Sequence, residues 1–365
     1  MRYLVALRVG QNDVKALLNL ENSIKDKITP LLIMKGKIKH LDNFLASWGN
    51  YEYLIDVSRF TNDEEDEFII AYDPENPHGG YQNKIDFFNY AFQKNPNAIP
   101  VLAWNSSAPL RDIIQFAIKL DNQYEKIAIR IKTPISNHDN NILNAILAAI
   151  SDINKIQVIF DFEHISATDL TKFDKALIEI NQIFSTYPDL TGHTLSTSFP
   201  IDKPQNGTDR NVICYDPFFQ AKILKKHSAL SYGDYGATNP SSPMEFEPWM
   251  QIIPFVNYYA EFEWWQKRDG GDKEYYKYVS LARDIKSLKT YHGDQFCWAN
   301  TEIHRISNLN ITPAIGAKQK HGSNGTWNGI KINQHICAML NDITAFAQAN
   351  YRMSDDDSDD SEDNQ

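Results

Sequence analysis

A closed (β/α)8 barrel of the α/β class is the fold this sequence predicts, from three observations. Short apolar, β-branched runs alternate with longer segments of helical period, about eight such units fit within 365 residues, and several runs end in charged residues. An open doubly wound sheet is the competing architecture. The strands are predicted at residues 3–8, 28–34, 52–57, 98–104, 126–132, 156–162 and 193–199, because each is a brief run dominated by apolar or β-branched residues. Helices are predicted between them, at 11–22, 39–48, 82–93, 108–121, 139–151 and 168–186. The helix at 139–151 shows the clearest stripe, with Ile142, Leu143, Ile146, Leu147 and Ile150 on one face.

Beyond about residue 200 the pattern loosens, so the barrel is expected to become irregular in its last third. Residues 202–209 read as a loop, 213–227 as a helix and 230–236 as a short strand with a turn. Residues 252–265 read as a dense aromatic strand or hairpin and 274–291 as a helix. Residues 305–330 are rich in Asn, Gly and Thr, and a final helix covers 331–350. The expected organisation is one barrel-like domain over 1–350 and a disordered acidic tail over 351–365.

Net charge sharpens that boundary. Seven of the eleven net negative charges belong to Asp355, Asp356, Asp357, Asp359, Asp360, Glu362 and Asp363, which leaves the body at −4. A run of Ser, Asp and Glu without apolar residues has no surface to bury against its ordering entropy. Its simplest role is solubility; a basic partner protein or mimicry of nucleic-acid charge is the sharper alternative. Cys214, Cys297 and Cys337 are odd in number and widely spaced, which fits reduced buried thiols and neither a disulfide framework nor a C-x-x-C motif. The chain opens directly on a strand-like run, and no apolar stretch approaches the ~18 residues of a membrane helix. A cytoplasmic protein without membrane association is therefore expected.

Side chains alternate across a strand, so charged strand ends can be tested for a shared direction. Arg130 falls on the face of Ala128 rather than that of Ile127, Ile129 and Ile131. Arg8 shares a face with Leu4 and Ala6, Asp56 with Leu54, and Asp161 and Glu163 with Ile159. All point inward at the carboxyl end of the barrel, where barrel enzymes place their sites. The predicted catalytic set is Asp161, Glu163, Asp56 and Asp234. The predicted substrate-binding set is Arg8, Arg130, Lys132, Tyr232, Tyr235 and Trp104. Arginines beside carboxylates suit an anionic, phosphorylated ligand with acid–base work, and the same carboxylates suit Mg2+ over a phosphate. An internal salt-bridge network is the competing explanation.

Other signals are weaker. Alternation turns His164 away from the carboxylates, and His304, His321 and His335 lack zinc-site spacing. Ser231-Tyr-Gly-Asp-Tyr-Gly236 is either a rigid presenting loop for Asp234 and Tyr235 or a tight turn with an Asp cap, and it lacks phosphate-loop spacing. Tyr258, Tyr259, Phe262, Trp264 and Trp265, followed by Lys267 and Arg268, read as core aromatics or as a base-stacking strip. A carbohydrate-active barrel using Asp161 or Glu163 with a second carboxylate is a further alternative.

Several strings together resemble the phage "beta protein" family of T-even-type bacteriophages and bacterial genomes. They are Leu7-Arg8-Val-Gly10, residues 26–32, Tyr232-Gly-Asp-Tyr-Gly236, Val256-Asn-Tyr-Tyr259, Phe296-Cys-Trp-Ala-Asn300, Gly325-Thr-Trp327 and Asn333-Gln-His335-Ile336. The family pattern carries lysine where Arg8 stands and Gly-Asp where this chain has Ala299-Asn300, which weakens a catalytic role at Asn300. The resemblance implies a phage–host setting, in defence or counter-defence, and draws attention to Asp234, Tyr235, Trp327 and His335. The combined expectation is a charged barrel pocket that binds or hydrolyses a phosphorylated, nucleotide-type anion or a nucleic-acid end. The alternative is a non-catalytic protein that engages a protein partner through its surface and acidic tail.

Overall fold

The computed structural model describes residues 2–60, 63–240 and 251–356. They form two compact units, one of residues 1–203 with 218–251, the other of residues 204–217 with 252–365.

The first unit is the barrel. Strands β1 (Tyr3–Arg8), β2 (Ile28–Met34), β3 (Tyr53–Val57), β4 (Ala98–Leu102), β5 (Ile127–Lys132), β6 (Ile156–His164) and β7 (Thr191–Thr197) pair in parallel in chain order. After β8 (Thr208–Ile213), which belongs to the second unit, the two-residue strands β9 (Leu230–Ser231) and β10 (Gly233–Asp234) share the eighth position. β9 pairs with β7, and β10 pairs with both β7 and β1, so the sheet closes and the open alternative is excluded. Closure needs a glycine: a Cβ on Gly233 would lie 2.6 Å from the Thr194 carbonyl oxygen and 2.9 Å from Leu4 Cβ.

Parallel strands covered on both faces read as near-continuous apolar runs, which is why most of these were legible in the sequence; β7, with Leu195 as its one large apolar residue, is the exception. Inside the barrel Leu4, Ala6, Leu31, Ile33, Leu54, Val101, Ala128, Ile159, Leu195 and Tyr235 form one buried cluster. Outside, helices bury single stripes, such as Ile113, Phe116, Ala117 and Leu120 of the helix Leu110–Gln123, and Ile142, Leu143, Ile146 and Leu147 of Asn137–Ala149. Each Ile, Leu or Phe among them contributes about 1.5–3 kcal/mol by leaving water. The Asn137–Ala149 helix starts where Ser136 accepts a hydrogen bond from the Asp139 amide.

The second unit is built differently. β11 (Phe255–Ala260) and β12 (Glu263–Arg268) form an antiparallel hairpin, and β8 adds to β12 as a third strand. Helices Tyr278–Lys286, Trp298–Ser307 and Asn324–Asp356 complete this unit. One domain was expected over 1–350; the contacts divide into two compact units, and in the second the antiparallel sheet packs with Tyr259, Trp264 and Ile336 buried.

Several boundaries also change. The 11–22 helix divides into Gln11–Leu18 and Asn22–Lys25, with Asn19 capping the first piece through its amide to the Lys15 carbonyl. Residues 208–213, of which 208 and 209 were expected as loop, 213 as the start of a helix and 210–212 as neither, are strand β8; its sequence is mostly polar, and pairing with β12 specifies it. Helices Glu67–Tyr72 and Trp298–Ser307 had no counterpart in the expectation. The last helix begins at Asn324 and includes residues 351–356, whereas residues 357–365 of the acidic tail lie outside the described residues.

Candidate functional site

At the carboxyl end of the barrel, period-two alternation brings Asp56 from β3, Arg130 from β5 and Asp161 from β6 to one point, joined by Tyr235 just beyond β10. Arg130 Nη1 donates to Asp56 Oδ2 at 2.9 Å, while Nε and Nη2 donate to Asp161 Oδ2 at 2.9 and 2.7 Å. The Tyr235 hydroxyl accepts from Arg130 Nη2 at 3.1 Å and donates to Asp161 at 2.7 Å. Asp56, Arg130, Asp161 and Tyr235 are 0, 5, 4 and 2% exposed. Charges this deep persist only when paired and hydrogen-bonded, and here they are.

The electrostatics follow from those pairings. Burial works against the charge on Arg130, but Tyr235, Asp161 and Asp56 outweigh it and raise its pKa well above the usual value. Burial likewise opposes ionisation of Asp56, and Arg59, Lys84 and Arg130 overcome it, holding that carboxyl below the usual carboxylate range. Burial and the Asp161 charge push the Tyr235 phenol far up, so its proton stays in place to be donated.

A second layer supports the first. Lys84 is fully buried; its Nζ donates to Glu75 Oε1 at 2.6 Å and to the Ala103 carbonyl at 3.1 Å, and it lies 3.9 Å from Asp56. Asp56 Oδ1 also accepts from the Val57 amide at 2.8 Å. Sequence reasoning missed Lys84, although its helical spacing from buried Phe88 and Ala91 was a usable signal.

Glu163 departs from simple alternation. Its φ is +54°, and the β6–β7 register shifts between Asp161 and His164, so a bulge carries the strand end over the barrel rim. The Glu163 amide donates to Asp161 Oδ1 at 2.9 Å, and its carboxylate pairs with the exposed Lys132 at 2.8 Å. Trp104 donates from Nε1 to Asp139 Oδ1 at 3.0 Å. Arg130, Asp161, Glu163, Lys132 and Trp104 all line one open cavity of about 750 Å3, together with Arg59, Phe60, Glu64, Glu75 and Asp139.

Three predicted site residues lie elsewhere. Arg8 pairs through Nε with buried Asp63 at 3.1 Å and donates from Nη2 to the Pro240 carbonyl at 2.9 Å, beside a smaller recess of about 260 Å3. Asp63 also accepts from Lys35 at 2.6 Å and from Ser58. Arg8 therefore meets a loop carboxylate that no periodic pattern announced. Asp234 neighbours Tyr235 and so turns to the opposite side, where it accepts from the hydroxyls of Tyr3 at 2.6 Å and Tyr232 at 3.2 Å. Its Oδ1 also accepts from the Gly236 amide at 2.8 Å, the geometry of an Asp-capped turn.

Asp161 does not fit as a Mg2+ ligand. Both oxygens of Asp161 already accept from Arg130, Tyr235 or the Glu163 amide, and among the described residues no three His, Cys, Asp or Glu side chains converge as metal ligands. Trp327 and His335 belong to the packing of the second unit: Trp327 stacks on Tyr278 at 4.9 Å and His335 on Trp264 at 4.8 Å. Asn300 donates from its amide to the Tyr258 hydroxyl at 3.2 Å and to the Gly293 carbonyl at 2.7 Å, a donor role that an ionised aspartate cannot fill. Among the described residues no helix is long and apolar enough to cross a membrane.

Comparison with known proteins agrees with the resemblance drawn from the sequence. The model of the family described as Beta protein matches residues 3–341. Protein beta of Enterobacteria phage P4 is 26% identical over 346 residues, covering 92% of this chain and 91% of that protein. The resemblance pointed to T-even-type phages, whereas this relative comes from phage P4. With a match that runs through both the barrel and the second unit, this chain belongs to the Beta protein family.

Proposed function

We propose that the barrel mouth binds a small ligand that carries one phosphate and several hydroxyls, a sugar phosphate or a nucleotide, in a protein that acts in phage–host conflict as defence or counter-defence. One observation carries this reading: the 750 Å3 cavity is lined by both signs of charge, Arg59 and Lys132 together with Glu64, Glu75 and Glu163, with Lys132 lying 2.8 Å from Glu163. Cations with donors to spare suit a phosphate, and carboxylates accept from sugar hydroxyls. Carboxylates outnumber cations in this lining, so each further phosphate on the ligand adds like-charge repulsion.

This assignment moves the anion clamp. Arg130 spends its donors on Asp56, Asp161 and Tyr235 and so builds the floor, Arg8 lies outside this cavity beside Asp63, and Arg59 and Lys132 meet the ligand. Turnover by phosphoester hydrolysis would fall to Glu163, the cavity carboxylate at the rim, with Asp161 held beneath it. The family tie to a phage protein supports the phage–host setting.

The test is calorimetric titration of the purified protein with ribose 5-phosphate, adenosine monophosphate, adenosine triphosphate and unphosphorylated ribose. Monophosphates should bind, and Arg59→Ala or Lys132→Ala should weaken them by about tenfold or more, as for loss of a charge-assisted hydrogen bond. Deleting residues 357–365 should leave that binding intact. Absence of binding by every phosphate ligand, or loss of a protein partner's binding on tail deletion alone, would favour the surface-and-tail alternative.

A further inference from the structure

The second unit carries a groove that the barrel site does not use. It lies between the three-stranded sheet and residues 288–290, encloses about 400 Å3, and is walled by Tyr258, Trp265, Glu261, Glu263 and Lys289. Along β12, Glu263, Trp265 and Lys267 share one face, whereas Trp264 and Gln266 are buried on the other. This division resolves the aromatic strip: Tyr259 and Trp264 are core, and Trp265 faces the groove. Trp265 lies opposite Tyr258 on β11 and Asn211 on β8, and its Nε1 donates to Asp209 at 3.1 Å, which fixes the indole plane.

The hairpin tip shapes the rim. Glu261 and Phe262 both adopt left-handed φ, +52° and +62°, in a two-residue turn where Asn-Gly is the favoured pair. Such strain persists only where surroundings hold it, and it concentrates at binding sites. Here the Phe262 carbonyl accepts from the Cys214 amide at 2.8 Å, and its ring meets Phe346 at 6.1 Å. The turn sets Glu261 and Glu263 side by side, and among the described residues neither carboxylate has an ion-pair partner. Lys289 is the one cation in the described lining, since Lys267 is engaged with Asp284 at 2.8 Å.

Aromatic walls beneath surplus negative charge select a cation. A nucleic-acid strand stacked on Trp265 would place its phosphates against Glu261, Glu263 and Asp209. An extended polypeptide fits better. β8 is an edge strand of this sheet with alternately exposed residues, and its Asn211 flanks Trp265. A segment paired along that edge presents every second side chain to the groove.

We propose that this groove receives arginine or lysine side chains from an extended basic segment of a partner protein. Fluorescence polarisation with the full chain and a labelled decapeptide of alternating arginine and threonine tests it, against the same peptide with citrulline for arginine. The arginine peptide should bind, the citrulline peptide should bind at least about tenfold more weakly, and Glu263→Gln and Trp265→Leu should each cost a similar factor. Trp265→Phe should keep most of the binding, and circular dichroism checks that each variant is folded. Equal binding of the citrulline peptide, indifference to Glu263→Gln, or no binding up to about 1 mM overturns the proposal. Binding of spermidine without binding of the peptide also overturns it, because the groove then serves small polyamines.

Discussion

Replacing Arg130 with methionine removes one guanidinium and leaves two carboxylates, Asp56 and Asp161, in a site less than a twentieth exposed. Breaking a buried ion pair by deleting one partner costs about 3–5 kcal/mol, because the remaining charge is stranded. Partial relief comes from the Tyr235 hydroxyl and the Glu163 amide on Asp161, and from Lys84 and Arg59 near Asp56, so R130M should fall within that range rather than beyond it. At roughly 2–4 °C per kcal/mol for a unit of this size, the barrel should melt about 6–20 °C lower.

The pH dependence gives the sharper check. In the native protein the Asp56 pKa is held below its unfolded value, so its contribution is present above the unfolded pKa and disappears as pH falls through the folded one. In R130M that pKa rises, and protonation relieves the stranded charge as pH falls. The stability gap between native and variant protein should therefore narrow between about pH 7 and 4. Denaturant unfolding at both pH values measures it, with hydrogen exchange of β5 and β6 amides reporting the barrel separately. The double variant R130M with Asp161→Asn should lose less than the sum of the single losses. A cost below about 1 kcal/mol, or a gap that stays constant with pH, refutes the claim that this network is a closed set of mutually dependent charges.

Two further predictions concern the barrel framework. His193 is buried with Nε2 against Gln157 at 3.2 Å, and burial lowers its pKa to about 4. The unfolded chain takes up that proton near pH 6.5, so native stability should fall from there to about pH 4 by roughly 3 kcal/mol, and His193→Gln should flatten that slope in unfolding curves. Parallel curves for the two proteins would sink the assignment. Gly192→Ala should destabilise the barrel by about 3 kcal/mol or more, since its Cβ would stand 2.0 Å from the Val158 carbonyl oxygen of the neighbouring strand. Soluble Gly192→Ala protein with an unchanged melting temperature would contradict that packing.

The direction of the site side chains was legible before the fold was. Arg130 with Ala128, Asp161 with Ile159 and Asp56 with Leu54 do share the barrel's inner face, because strand alternation is a local property of the backbone. The same logic carried the long strands, whose apolar or β-branched runs need no knowledge of their partners. It failed at Glu163, where a bulge resets the period, and at β8, whose polar residues form a strand only because β12 lies beside them. The charged residues were found more easily than their partnerships. Asp63 and Lys84, in a loop and on a helix, decide what Arg8 and Asp56 face.

By itself the sequence determined an α/β barrel, inward charge at one end of it and membership of a phage-linked family. Only the tertiary structure decided that Arg130 is committed to Asp56 and Asp161, that Asp234 caps a turn, and that residues 204–217 join those from 252 onward in a separate unit. The physical reason is separation: Arg130 and Asp56 lie 74 residues apart, as do Tyr235 and Asp161, and no local pattern encodes which distant charges a closed barrel brings within 3 Å.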